Sequence, residues 1–137
     1  MRDALANAVF HSGDAETDRL LEDSRRLILL PHIQDRRNGL EKLWDAFERI
    51  KTLEPGPDKR AQTTALLDKT AQAPRLRDFI EHEAKERTDI GNNLQIRHFE
   101  TRPTRQEKVE RPEQVDYLFH RMFSLIRLIM HATGREG

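Results

Sequence analysis

The sequence predicts an all-α fold, a compact bundle of four to six helices. Apolar residues recur at helical spacing in several segments, no segment alternates like a β-strand, and prolines separate the apolar segments. The 137 residues suit one domain with one core. We therefore expect a single helical domain over residues 1–137.

The first half of the chain predicts three helices. Residues 2–10 form the first candidate, and Ser12 or Asp14 can cap a second that runs to Leu30, where Pro31 interrupts it. The third is the clearest amphipathic helix, and the Pro-Gly-Pro-Asp segment at 55–58 ends it. Its apolar face consists of Leu40, Leu43, Trp44, Phe47 and Ile50. Because Trp44 and Phe47 lie on this face, we expect them to pack in the core.

The next two helices are shorter or less regular. One passes through residues 65–67 and ends at about Ala71, and Pro74 suits the first turn of another that fades near His98. Residues 100–111 are polar and lack periodicity, which predicts an exposed loop. We expect the apolar residues of the Pro74 helix to face inward, namely Leu76, Phe79, Ile80, Ala84, Ile90 and Leu94.

Pro112 opens the last helix, which carries two adjacent apolar stripes. So wide an apolar face predicts deep burial, either at the centre of the bundle or across a dimer interface. We expect a homodimer that forms through this helix. The stripes are Leu118, Met122, Leu125 and Ile129, then Phe119, Phe123, Ile126 and Met130.

Composition excludes several classes of protein. Lys and Arg number 24, as do Asp and Glu, so the chain lacks the global positive charge of a dedicated nucleic-acid binder. It has no cysteine, which is typical of a cytoplasmic protein, and no apolar run approaches the ~20 residues of a membrane span. His82 and Glu86 have the spacing of two metal ligands on one helix face, but two are too few. We predict no metal and no cofactor.

A polar segment at residues 89–100 draws attention because Gly91, Asn92 and Asn93 are poor helix formers. If its helix packs antiparallel to the last one, His98 lies near the first turns of that helix. His98 could then move protons while an arginine holds a phosphate. Alternatively, Gly and Asn simply end the helix, and the segment makes ordinary surface contacts. The candidate residues are Arg97, His98, Asn92, Asn93, Glu100, Tyr117, His120 and Arg121.

Three blocks carry a family resemblance: LEKLWDAFER at 40–49, IGNN through IRHFE at 90–100, and DYLF at 116–119. Together they resemble a helical domain at the C-terminal end of bacterial proteins linked to abortive infection. That domain is similar to the HEPN superfamily (higher eukaryotes and prokaryotes nucleotide-binding). The resemblance covers residues 40 to 130, and the first 40 residues match no family pattern.

The resemblance implies a dimeric helical bundle, often a metal-independent endoribonuclease of toxin–antitoxin or phage-defence systems. RNA or a nucleotide and a partner protein of such a system are the implied ligands. In the family motif an arginine precedes a histidine by four to six residues. His98 takes the histidine's place, but Gly91, Asn92 or Asn93 occupies the arginine's place and Arg97 directly precedes His98. A non-catalytic dimerisation or adaptor module is therefore the alternative.

Overall fold

The computed structural model describes residues 10–94, 96 and 108–135. Within these ranges the chain forms five α-helices and no β-strand. They are α1 Ala15–Ile28, α2 Ile33–Ile50, α3 Lys59–Thr70, α4 Pro74–Asn93 and α5 Pro112–Ala132. The predicted all-α class is confirmed. Of the helix expected at residues 2–10, residues 2–9 lie outside the described residues and Phe10 is not helical.

Local sequence signals explain where the helices begin. The Asp14 carboxylate accepts the Thr17 backbone N–H at 3.0 Å and caps α1, and Asp58 caps α3 through the Ala61 N–H at 2.8 Å. Pro74 and Pro112 occupy the first turns of α4 and α5, where the missing N–H costs nothing. α4 ends at Asn93, earlier than the predicted fade near His98.

The core lies between α2 and α5, with α1 and α3 packed on either side. Both predicted apolar stripes of α5 contribute, so that helix uses its wide face inside the bundle. Its buried residues include Phe119, Phe123 and Ile126, and Leu118 is half-buried. The width of the apolar face of α5 is therefore explained by the monomer's own core. No described helix is both long and apolar enough to cross a membrane.

The roll of α4 about its own axis differs from the prediction. Ile80 and Ala84 are buried as expected, but Leu76 and Phe79 are exposed, so their predicted inward orientation is wrong. The face that meets the core runs through Ile80, Ala84, Arg87 and Gly91, which follow one another at i, i+4, i+7 and i+11. Leu76 and Phe79 lie to one side of this face and remain in solvent.

A contact between α2 and α4 sets that roll. The Trp44 side chain is fully buried, as predicted, and its indole N–H donates to the Arg87 carbonyl at 2.6 Å. A Cβ added to Gly91 would lie 2.3 Å from Cδ1 of Trp44. Gly91 is therefore needed for close packing against the indole, and its poor helix propensity requires no functional explanation.

We expect Gly91→Ala to destabilise the fold. Alanine stabilises a helix by ~1 kcal/mol relative to glycine. Steric overlap of its methyl group with the tightly packed indole costs about 1–3 kcal/mol, so we expect a net loss in the free energy of unfolding. Urea unfolding would show a lowered midpoint. Asn93→Ala, an exposed change two residues away, serves as the control and should move the free energy of unfolding by less than ~0.5 kcal/mol. A Gly91→Ala variant as stable as the natural chain would contradict the contact.

Candidate functional site

A groove of about 450 Å³ runs between α4 and α5. The two helices are antiparallel, since Glu83 of α4 pairs with Arg121 of α5 while residues further along α4 approach the start of α5. α4 and α5 make few close backbone approaches, fewer than α2 and α5 make, and the groove between them is open. Its lining consists of Phe79, Ile80, Glu83, Arg87, Tyr117, His120, Arg121, Ser124, Leu125 and Leu128.

The rim of the groove is apolar and exposed. Phe79 is 56% exposed, Tyr117 57% and Leu128 42%, and Leu76 lies one turn before Phe79 with 51% exposure. In the described part of the chain, only one other large apolar side chain is comparably exposed, namely Leu30 at 36%. Single exposed apolar residues are common, but a group of four on two adjacent helices is a candidate binding surface.

A buried arginine lies at one end of the groove. Arg87 is 1% exposed, and its Nη2 donates to Glu83 Oε2 at 2.7 Å. Its Nη1 is buried and has no hydrogen-bond partner among the described residues. Burial and the nearby charge of Arg121 lower the pKa of the Arg87 guanidinium. Glu83 is the ion-pair partner of this buried charge.

Arg121 shares the same carboxylate from the other side. Its Nη2 lies 3.1 Å from Glu83 Oε2, and its Nη1 donates to the Tyr117 hydroxyl at 3.1 Å. The guanidinium also lies 5.6 Å from the centre of the Tyr117 ring, within cation–π range. Arg121 is about one-third exposed, so it links α5 to α4 while still facing solvent.

His120 also lines the groove. Burial lowers the pKa of its imidazole, and the charge of Asp116 offsets only part of that effect. Its Nδ1 is buried without a hydrogen-bond partner among the described residues. The neutral form of the imidazole is thus favoured. Asp116 itself forms an ion pair with Arg36 of α2.

The structure brings together three of the predicted site residues, Tyr117, His120 and Arg121, in this groove. Asn92 and Asn93 are exposed on the last turn of α4 and do not contribute to its lining. Arg97, His98 and Glu100 lie outside the described residues, so their roles stay predictions.

Glu83 and Arg87 were missed by the sequence interpretation. Arg87 continues the stripe of Ile80 and Ala84, and Glu83 precedes it by four residues, the spacing of an ion pair on one helix. A cation in a buried stripe with such a partner was the signal that could have identified both.

A second cavity of about 470 Å³ lies between α3 and α4, and several lysine and arginine side chains line it. The deepest of these is Lys51, whose Nζ lies 2.6 Å from Glu48 and 2.8 Å from the Thr88 hydroxyl. Burial would raise the pKa of Glu48, but hydrogen bonds and charge from Lys51 and Lys59 hold it below its usual range. The buried charges of Lys51 and Glu48 therefore neutralise each other. In the described ranges no cluster of three or more His, Cys, Asp or Glu residues has the arrangement of a metal site.

Comparison with known protein families, with characterised proteins and with solved structures finds no significant match to this chain.

We expect Glu83→Ala to be much more destabilising than Arg121→Ala. Loss of Glu83 leaves the buried Arg87 charge without its ion-pair partner, which costs about 3 kcal/mol or more. Loss of Arg121 removes a partly solvated pair, which contributes at most ~1 kcal/mol. Chemical denaturation of both variants would measure the difference. Equal effects would contradict the assignment of Glu83 as the partner that compensates Arg87.

Proposed function

We propose that this chain is a helical protein-interaction domain that receives a helix of a partner protein along the α4–α5 groove. The observation that carries the proposal is the group of exposed apolar side chains Leu76, Phe79, Tyr117 and Leu128. Of the five large apolar side chains that are exposed in the described chain, three line the groove and Leu76 lies one turn before Phe79. Burying them would remove a cost that an isolated chain bears in water.

The dimensions of the groove favour a helical occupant. From Leu76 to Arg87, α4 is about 16 Å long at ~1.5 Å per residue, which equals three helical turns. An amphipathic helix of that length presents apolar residues at i, i+3, i+4 and i+7, a pattern that docks in apolar grooves of other proteins. The exposed side chains of α4 and α5 provide apolar contacts along most of this length.

The charges beside the groove favour a protein over a nucleic acid. Arg87 and Arg121 are balanced by Glu83 and by Glu86, whose negative charge also acts on both arginines. The whole chain has a formal net charge of zero. Binding to a phosphate backbone depends on an excess of positive charge, which this surface does not provide.

A selection from a display library of amphipathic helical peptides tests this function without knowledge of the natural partner. We expect peptides that bind the natural chain and lose at least about tenfold in affinity to Phe79→Glu, because the new carboxylate would be buried in the complex. Leu30→Glu is the matched control, an equally drastic change at the exposed apolar residue outside the groove. The proposal fails if no peptide binds, or if the selected peptides bind the Phe79→Glu variant unchanged.

A HEPN-like, metal-independent endoribonuclease or RNA-binding domain is the second candidate. Tyr117, His120 and Arg121 support it, because they share one groove and α4 runs toward the start of α5. In this hypothesis His98 moves the proton of an RNA 2′-hydroxyl, and Arg97 with Arg121 stabilises the charge that develops on the phosphate. A role in abortive infection or phage defence belongs to this hypothesis.

Incubation of the purified chain with mixed RNA in EDTA tests the second candidate. The hypothesis expects RNA cleavage that His98→Ala abolishes. His11→Ala is the control, because His11 is an exposed histidine far from position 98 in the sequence, and this variant should cleave normally. If the chain binds RNA without cleaving it, the affinity should fall steeply as salt rises. Absence of both binding and cleavage, or cleavage that His98→Ala leaves unchanged, contradicts it.

A further inference from the structure

We propose that the partner on this surface is a second copy of the chain, with the two α4 helices packed antiparallel about a two-fold axis. This inference rests on the proposed interaction function and names its partner. It is carried by the order of charges on the outward face of α4, which adjoins the groove at Phe79. Arg75, Phe79, His82 and Glu86 follow one another there at i, i+4, i+7 and i+11, and all four are exposed.

The two charges at the ends of this face are exposed to solvent. Neither Arg75 nor Glu86 forms an ion pair within the described residues, and neither does the exposed Asp78. Other charges near the middle of α4 do form pairs within the chain. Arg77 pairs with Asp68 and Glu81, and Glu83 pairs with Arg87. Arg75 and Glu86 are opposite in sign and lie about 16 Å apart along the helix.

Their spacing makes the face self-complementary. Arg75 and Glu86 are equally far from the midpoint between Phe79 and His82. When two identical helices pack antiparallel about that midpoint, Arg75 faces the partner's Glu86, and Glu86 faces the partner's Arg75. At the centre Phe79 faces the partner's His82. Such reciprocity is what a two-fold interface between identical chains requires.

The exposed residues of α5 fit the same axis. The Glu83–Arg121 ion pair sets the relative height of α4 and α5. Measured along the helix axes, the midpoint between Tyr117 and Leu128 then lies within about 2 Å of the midpoint between Phe79 and His82. A two-fold axis placed there brings Tyr117 opposite the partner's Leu128 as well. Two helices that are independent in sequence thus share one centre of symmetry.

The absence of net charge removes the usual obstacle to self-association. At zero formal charge, two copies do not repel each other as they approach. An unrelated partner would need apolar residues and charges on this face, but it would not need them in palindromic order. The order of the residues therefore favours a second copy over any other helix.

Charge reversal tests the register. Sedimentation equilibrium of the full chain should show a dimer, which Arg75→Glu or Glu86→Arg alone weakens by about tenfold, because each change creates two like-charge contacts. The double variant R75E/E86R restores both pairs with their signs exchanged and should return the dissociation constant to within about threefold of the natural value. Arg60→Glu, at an exposed arginine of α3 that also lacks an ion pair among the described residues, should have no effect.

A chain that remains monomeric at hundreds of micromolar overturns the proposal, as does a dimer insensitive to both single reversals. Failure of the double variant to recover also overturns it, because the two residues then do not face each other. The peptide selection separates this failure from that of the proposed function. If the chain is monomeric but binds peptides in a way that depends on Phe79, the proposed interaction function stands and the partner is another protein.

Discussion

The contact of Trp44 with Gly91 and Arg87 is the constraint on which the rest of this structure depends. The indole ring occupies the space where any side chain at position 91 would lie, and its N–H bonds the carbonyl of residue 87. These two conditions fix both the distance of α4 from α2 and its rotation about its own axis. With α4 held this way, Phe79 is turned away from the core.

The buried Arg87 charge connects this constraint to the surface. A guanidinium with so little exposure needs a carboxylate close by, and Glu83 provides one on the preceding turn of the same helix. Glu83 also binds Arg121, so the compensating carboxylate joins α4 to α5. The two helices are thereby aligned in height while their apolar side chains remain apart, which produces an open groove between them.

Sequence patterns predicted most of the fold because its helix starts and core stripes depend on local chemistry. Asp14, Pro74 and Pro112 mark helix starts, and the Trp44 face repeats at helical spacing, so these features were confirmed. The rotation of α4 was not predictable in the same way. Its apolar residues are spread around much of the helix, and the side that faces inward is decided by a distant tryptophan. The groove, which depends on that rotation, could not be predicted either.

The exposed face of α4 and its neighbour on α5 carry the functional account: an apolar groove bordered by charges that complement those of an identical chain. Distance measurement between spin labels tests this claim most directly, since the chain has no cysteine and one can be placed at will. With the label at His82→Cys, the account predicts one short, narrow distance between copies. With the label at Leu30→Cys, on a surface outside the groove, it predicts a longer distance. No coupling between copies at position 82, at a concentration where the chain is dimeric, would contradict the account.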